Sequence, residues 1–218
     1  MRIKNIALAG ALALTFSNAQ AELFDKGGGL IYDDVLKITW LSDANYAQTS
    51  GHDADGRMNW TAANAWADNL SFYDSVRNVT YSDWRLPTAL NQDGNGSCMG
   101  YNCNSEMGHM FYNNMGVGAG GSILDGANNP NFALFTNLQS NVYWSGTAYA
   151  PNPANAWGFS TDTGYQGSGY QGNVFYAWAV RDGNVAAPIP EPETYAMLLA
   201  GLGLLGVVAR RRKQKLNA

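Results

Sequence analysis

Tyr81-Ser82-Asp83-Trp84-Arg85-Leu86-Pro87-Thr88 sets an aromatic, an acid, a base and a proline almost side by side in the middle of the chain. Proline fixes its own φ and biases Leu86 toward an extended backbone, so no helix is expected to run through this stretch. Trp84 is large enough to anchor a core, and Arg85 carries a planar fork that fits a carboxylate or backbone carbonyls. For Asp83 the expectation is a side-chain turn onto its own backbone. The stretch therefore reads as a structural corner, with a binding site as the alternative.

On the N-terminal side, Leu36, Ile38 and Trp40 alternate as in a strand, and Asp33-Asp34 is expected to turn a hairpin before them. Asn45 to Met58 reads as a polar loop. Thr61 is expected to cap a helix in which Ala63, Trp66, Ala67 and Leu70 recur at helical spacing and face the core. On the C-terminal side, Ser105 is expected to cap a second short helix with Glu106 in its first turn. Met107, Met110 and Phe111 would line its buried face, and Gly116 would end it. The Gly-rich run from Val117 to Ser122 reads as a loop. Three β-rich runs follow, at Val142 to Thr147, Ala156 to Thr161 and Val174 to Arg181. The tandem Gly164-Tyr165-Gln166-Gly167 and Gly169-Tyr170-Gln171-Gly172 reads as a hairpin tip. Tyr165 and Tyr170 on such a tip are candidate ligand contacts, since each offers a flat face and a hydroxyl.

The two ends of the 218-residue chain are read separately from its middle. Met1-Arg2-Ile3-Lys4-Asn5 precedes an apolar run from Ile6 to Phe16, and Ala19-Gln20-Ala21 fits a signal-peptidase site. Residues 1–21 are thus expected to be a signal peptide, cleaved after Ala21. At the other end, Tyr195 to Ala209 is almost wholly apolar and is followed by Arg210-Arg211-Arg212-Lys213-Gln214-Lys215. As a helix this run reaches about 22 Å, short of the roughly 30 Å hydrocarbon core, but flanking bases can snorkel. Pro188-Ile189-Pro190-Glu191-Pro192-Glu193 stands just before it. This order of Pro190-Glu191-Pro192, short apolar run and basic cluster at Arg210, Arg211 and Arg212 resembles the PEP-CTERM sorting signal of exported bacterial proteins. The resemblance implies that residues 188–218 hold the chain transiently in the inner membrane. An exosortase partner would then cut near Pro-Glu-Pro and send the protein to the cell surface or beyond. A plain C-terminal membrane anchor is the alternative.

Residues 22–187 amount to one domain. Six bases stand against fifteen acids there, a net of −9 where the whole chain nets −4. Such a domain repels phosphate backbones, so nucleic acid is excluded as a partner. All seven Trp lie in this part, with many Tyr, Asn and Gly, as suits an extracytoplasmic domain with long ordered loops.

Few residues carry chemistry. Cys98 and Cys103, the only cysteines, are expected to pair in a disulfide in an exported chain. A metal site there would need two further soft ligands, and only His52 and His109 are available. Asp53-Ala54-Asp55-Gly56 and Asn91-Gln92-Asp93-Gly94-Asn95-Gly96 each set oxygen side chains on alternate residues beside a Gly turn. Asp53 with Asp55, and Asp93 with Asn95, are therefore candidate calcium ligands. Neither loop has the later bidentate Glu of an EF-hand, and the same residues are ordinary turn chemistry, so the expectation is no cofactor. Glu106 and His109 have the spacing of a di-iron helix pair but no second set, so Glu106 reads as a helix-start acid and His109 as half-exposed.

Five pieces stand in an order seen in one family: Asn59-Trp60-Thr61, Ser82 to Thr88, Tyr143-Trp144-Ser145-Gly146-Thr147, Ala156-Trp157, and Ala177-Trp178-Ala179-Val180-Arg181. In these the domain resembles the Lcl C-terminal-domain family. The resemblance implies an α+β, C-type-lectin-like fold related also to the formylglycine-generating enzymes. On that fold two short helices, several antiparallel strands and long ordered loops are expected. One relative is the C-terminal domain of a collagen-like adhesin, with glycosaminoglycan binding and trimerisation; its binding surface is basic, whereas this domain nets −9. The expectation is a non-catalytic surface or matrix protein that binds extracellular polysaccharide. A structural envelope component without a ligand, and an enzyme of the formylglycine-generating type, are the alternatives. The enzyme needs reactive cysteines, and no Ser-His-Asp set can be assigned.

Overall fold

Short strands begin where the sequence alternates. In the computed structural model, which describes residues 23–186 and the helical positions Met197, Leu199, Ala200, Gly201, Leu202 and Leu205, β1 (Leu23–Asp25), β2 (Leu30–Asp33) and β3 (Ile38–Leu41) form an antiparallel meander. The turn forms as expected. Asp33 Oδ1 accepts the backbone N–H groups of Val35 and Leu36 at 3.0 and 2.9 Å.

The Asn45 to Met58 stretch is more ordered than a polar loop. It contains the helical turn α1 (Tyr46–Thr49) and ends in β4 (Arg57–Met58). Helix α2 (Trp60–Asp68) follows, and its cap is Asn59, two residues before the expected Thr61. Asn59 Oδ1 accepts the Ala62 N–H at 2.9 Å, because an extended Asn59 places its carbonyl group over the open helix end. Ala63, Trp66, Ala67 and Leu70 are buried as expected. A separate hairpin pairs β5 (Phe72–Asp74) with β6 (Val79–Tyr81), and β7 (Trp84–Arg85) carries the central motif. The second expected helix is α3 (Glu106–His109). Ser105 Oγ caps it through the Gly108 N–H at 3.1 Å, and it continues as a π-helical turn over Met110–Asn114. Gly116, at φ +67°, lets the chain leave. Two short 3-10 turns (Ile123–Asn128 and Pro130–Leu134) precede the last strands.

Those strands are β8 (Val142–Ala148), β9 (Asn155–Ser160), β10 (Gln166–Tyr170), β11 (Phe175–Tyr176) and β12 (Val180–Asp182). They make two five-stranded sheets, ordered β1-β2-β3-β12-β7 and β10-β9-β8-β11-β4. All pairs are antiparallel except β8 with β11, which run parallel at Tyr143 and Tyr176. The fold is α+β, with three short α-helices rather than two within residues 23–186.

The run expected as a single strand from Val174 to Arg181 is split. Phe175 and Tyr176 pair in one sheet, Val180 to Asp182 pair in the other, and Ala177-Trp178-Ala179 crosses between them fully buried. Side chains along the crossing alternate between two cores. Tyr176, Trp178 and Val180 face a cluster of Trp40, Tyr143, Phe111, Phe159 and the methionines of the α3 region. Phe175, Ala177 and Ala179 face a second cluster built on Trp66, Trp84, Leu86 and Trp144. A strand buried on both faces reads as an unbroken apolar run, so the change of sheet leaves no mark in the sequence.

Trp84 is buried, and its indole N–H donates to Tyr81 O at 3.0 Å. The Ser82 to Thr88 stretch is thus a corner of the scaffold, as read. Asp83 departs from the expected self-turn. Both its carboxylate oxygens take the Arg181 guanidinium at 2.8 Å, because β7 lies directly against β12.

Candidate functional site

The second sheet ends on an open groove of about 190 Å³. Its floor is made where small residues face each other across strands, with Gly158 of β9 in register with Gly167 of β10, and Ser168 and Gly169 following. The tandem expected as a hairpin tip therefore forms an edge strand, with Tyr165 just before its first residue and Tyr170 as its last. The floor requires glycine. A Cβ on Gly167 would lie 2.9 Å from the Tyr165 ring, and one on Gly169 would lie 3.2 Å from the Phe175 ring. Tyr165 and Phe175 are the walls, and Val142 and Ser160 complete the lining.

The Tyr165 wall is supported from behind. Its ring meets the edge of Tyr101 at 5.3 Å and 81°. Tyr101 stands on the loop closed by the Cys98–Cys103 disulfide, whose Cα atoms are 5.6 Å apart. Gly100 of that loop exchanges both backbone hydrogen bonds with Gln166, at 2.9 and 2.8 Å, and so extends the edge of β10. The buried Gln166 amide donates to Cys98 O at 2.9 Å and to Ala89 O at 3.1 Å, tying the disulfide loop to the end of the central motif. Tyr165 keeps 39% of its surface exposed between these supports and the groove. Tyr170 is 62% exposed at the far end of β10, outside the groove lining, with its ring against Gly172.

Every side chain lining the groove is uncharged. The nearest carboxylate in its hydrogen-bond network is Asp162, which takes the Ser160 hydroxyl. A flat floor of backbone and glycine, two aromatic walls and the Ser160 hydroxyl match a ligand with an apolar face and a polar edge.

A second cleft, of about 210 Å³, opens beside the central motif between Arg85, Thr88, Asn64 and Thr147. Arg85 is already bound at both ends of its fork. It gives hydrogen bonds to both Glu106 oxygens at 2.8 and 2.7 Å and to Asp182 Oδ1 at 2.6 Å. Burial works against the guanidinium charge, but the hydrogen bonds and attraction of Glu106, then of Asp182, outweigh it and hold Arg85 protonated. With its charge neutralised, Arg85 serves structure rather than an incoming anion. A third, broader cleft of about 530 Å³ lies along the Gly-rich loop from Met115 to Asn129 and is walled largely by backbone.

The other candidates are placed as follows. Asp53 Oδ1 accepts the N–H groups of Asp55 and Gly56 at 3.0 and 2.8 Å, and Asp55 Oδ1 accepts that of Arg57 at 3.0 Å. The backbone N–H of Asp55, above other contacts, holds the Asp53 carboxyl below the usual carboxylate range. Asp93 accepts from the Asn95 backbone and side chain at 3.0 and 2.9 Å. Among the described residues no three His, Cys, Asp or Glu side chains converge on a cation position. Glu106 heads its helix as read, but it is buried against Arg85. His109 is buried, not half-exposed, because the short α3 helix is enclosed on every side, all four of its residues being buried. Its Nε2 lies 3.9 Å from Asp33 Oδ2, which Asn114 already occupies at 2.7 Å. Ala21, Pro190, Glu191, Pro192, Arg210, Arg211 and Arg212 lie outside the described residues. Among the described residues, no helix is long and apolar enough to cross a membrane.

Phe175, Ser168, Tyr101 and Gln166 were not singled out from the sequence. The available signal was glycine on alternate positions of a strand, at 167 and 169, which marks close approach of other groups to the backbone.

A two-sheet α+β domain with an uncharged aromatic groove is the class that fold and site define. The chain belongs to the Lcl C-terminal domain family, whose profile matches residues 29–181. A PEP-CTERM protein-sorting motif matches residues 188–213, which implies export to the cell surface and processing by an exosortase. Among curated proteins no match to the chain is found.

Proposed function

We propose that this is a non-catalytic glycan-binding module of the cell surface or extracellular matrix, built on a C-type-lectin-like scaffold. The observation that carries this reading is the groove between Tyr165 and Phe175, with a floor kept flat by Gly158, Gly167 and Gly169. A pyranose presents an apolar face of C–H groups and an equatorial rim of hydroxyls. The aromatic walls suit the face, and the Ser160 hydroxyl suits the rim. The lining has no Lys or Arg to neutralise a sulfate, and the surrounding domain nets −9, so a neutral polysaccharide fits better than a sulfated one. The non-enzymatic reading is supported by the disulfide, which engages the chain's only two cysteines.

A glycan array probed with the domain in low and in physiological salt tests this directly. The expected result is binding to neutral polysaccharide that changes little with salt. Binding confined to sulfated glycans and lost with salt would refute the neutral assignment. No binding to any glycan would leave the structural-component reading in its place.

A further inference from the structure

Three of the five sequence pieces that carry the family resemblance meet at one place. The Trp60 indole donates to Ser145 O at 2.8 Å, the Gly146 N–H donates to Pro87 O at 2.9 Å, and the Thr88 and Thr147 hydroxyls lie 3.2 Å apart. Between α2, the end of the central motif and β8 opens the cleft of about 210 Å³, lined by Asn64, Arg85, Leu86, Thr88, Gly146 and Thr147. It is separate from the aromatic groove and slightly larger, and no residue lines both.

Most polar atoms around the cleft already have partners. Arg85 commits every guanidinium N–H: Nε to Asp182, Nη1 to Leu86 O and Glu106, and Nη2 to Glu106 and Asp182. Two groups are left over. Asn64 Nδ2 donates to Trp60 O at 2.8 Å, which fixes the amide, and among the described residues its Oδ1 accepts nothing. Thr147 Oγ1 accepts the Ala89 N–H at 3.0 Å, and Thr88 Oγ1 accepts that of Leu90 at 3.2 Å. Only one O–H lies in the bond between the two hydroxyls, so the other is free to donate. A Cβ on Gly146 would stand 3.5 Å from Asn64 Oδ1 and 3.5 Å from Leu86 Cβ, so the bare glycine leaves the free acceptor uncovered.

We propose that this cleft is a second glycan subsite, which takes one sugar unit of a neutral polysaccharide by its hydroxyls. The class of ligand rests on the glycan-binding reading of the domain. A sugar hydroxyl donates and accepts at once, so neighbouring hydroxyls donate to Asn64 Oδ1 and accept from the threonine pair. An anionic unit is disfavoured, because it meets an acceptor in Asn64 Oδ1 and finds no unused Arg85 N–H. Recognition here is by polar contacts alone, in contrast to the aromatic walls of the groove.

Titration of the isotope-labelled, exported protein with neutral disaccharides of glucose, galactose and mannose, followed by amide NMR shifts, tests this. The Asn64 side chain, Gly146 and Thr147 report the cleft, while Gly167 and Gly169 report the groove in the same spectrum. Saturable shifts at the cleft are expected, and they should persist in Tyr165→Ala. In Gly146→Ala, whose Cβ meets its neighbours only at ordinary contact distance, the cleft affinity should fall about tenfold or more. Asn64→Ala removes the free acceptor and puts a strong helix former on α2, so it serves should Gly146→Ala fail to fold. Cleft signals that stay still with every sugar would overturn the second site, whatever the groove signals do. So would cleft shifts of unchanged affinity in Gly146→Ala and Asn64→Ala. Shifts at the cleft with none at the groove would uphold the subsite and count against the groove, so the two readings fail separately.

Discussion

Arg85 and Glu106 form a two-pronged ion pair, Nη1 to Oε2 at 2.8 Å and Nη2 to Oε1 at 2.7 Å, that ties the central motif to the first turn of α3. Glu106 Oε2 also accepts the Thr88 N–H at 2.8 Å, so one carboxylate holds both the extended segment and the helix start. Glu106→Gln should therefore cost about 2–3 kcal/mol in urea unfolding, the scale of a lost charged hydrogen-bond set at a partly screened site. Asp182, whose side chain is largely exposed, should cost under about 1 kcal/mol when changed to Ala. Equal costs for the two would contradict the ranking.

Trp84 fills the core around Leu86, Trp66 and Phe72, meeting the Phe72 ring at 5.9 Å. Trp84→Ala should cost about 3–5 kcal/mol, measured by thermal or urea denaturation, with loss of soluble protein. A variant that folds normally and loses only ligand binding would make the motif the binding site.

Closing the short Cys98–Cys103 loop stabilises the domain by about 2 kcal/mol through chain entropy. Cys98→Ala should lower the denaturation midpoint without abolishing folding. It should also weaken ligand binding, because Gly100 and Tyr101 support Gln166 and Tyr165 from this loop. Two alkylatable thiols in native material would contradict the pairing.

Burial pushes the His109 imidazole below its usual value of 6.5, and the attraction of Asp33 and then Asp34 offsets this only in part. The folded state thus prefers neutral His109. Its stability contribution is complete above about pH 6.5 and is lost as pH falls from there through the lowered folded value. Wild type should lose stability between pH 7 and 5.5 faster than His109→Gln, by at most about 1.4 kcal/mol per pH unit. Parallel pH profiles would show that His109 does not titrate on unfolding.

Local chemistry was legible in the sequence, and long-range chemistry was not. The α2 face, the Asp33 turn and the Ser105 cap each follow from residues within a few positions of one another. The partners of Arg85 lie 21 and 97 positions away, so its fork was readable but its carboxylates were not. His109 was misplaced because the one-turn helix α3 is buried on all sides by distant elements, so it has no exposed face for His109 to occupy. In the groove, Tyr165 was legible as an aromatic beside glycine. Its opposing wall, Phe175, comes from a strand on the other side of β8 and had no local signal.

Binding by the groove is tested most directly by measuring the affinity of Tyr165→Ala and Tyr170→Ala for the best neutral glycan, by titration calorimetry on variants of unchanged stability. A site between Tyr165 and Phe175 predicts that Tyr165→Ala loses about tenfold or more, the scale of one aromatic stacking contact. Tyr170→Ala, outside the lining, should bind within about twofold of wild type. Wild-type affinity in Tyr165→Ala, or loss confined to Tyr170→Ala, would contradict it.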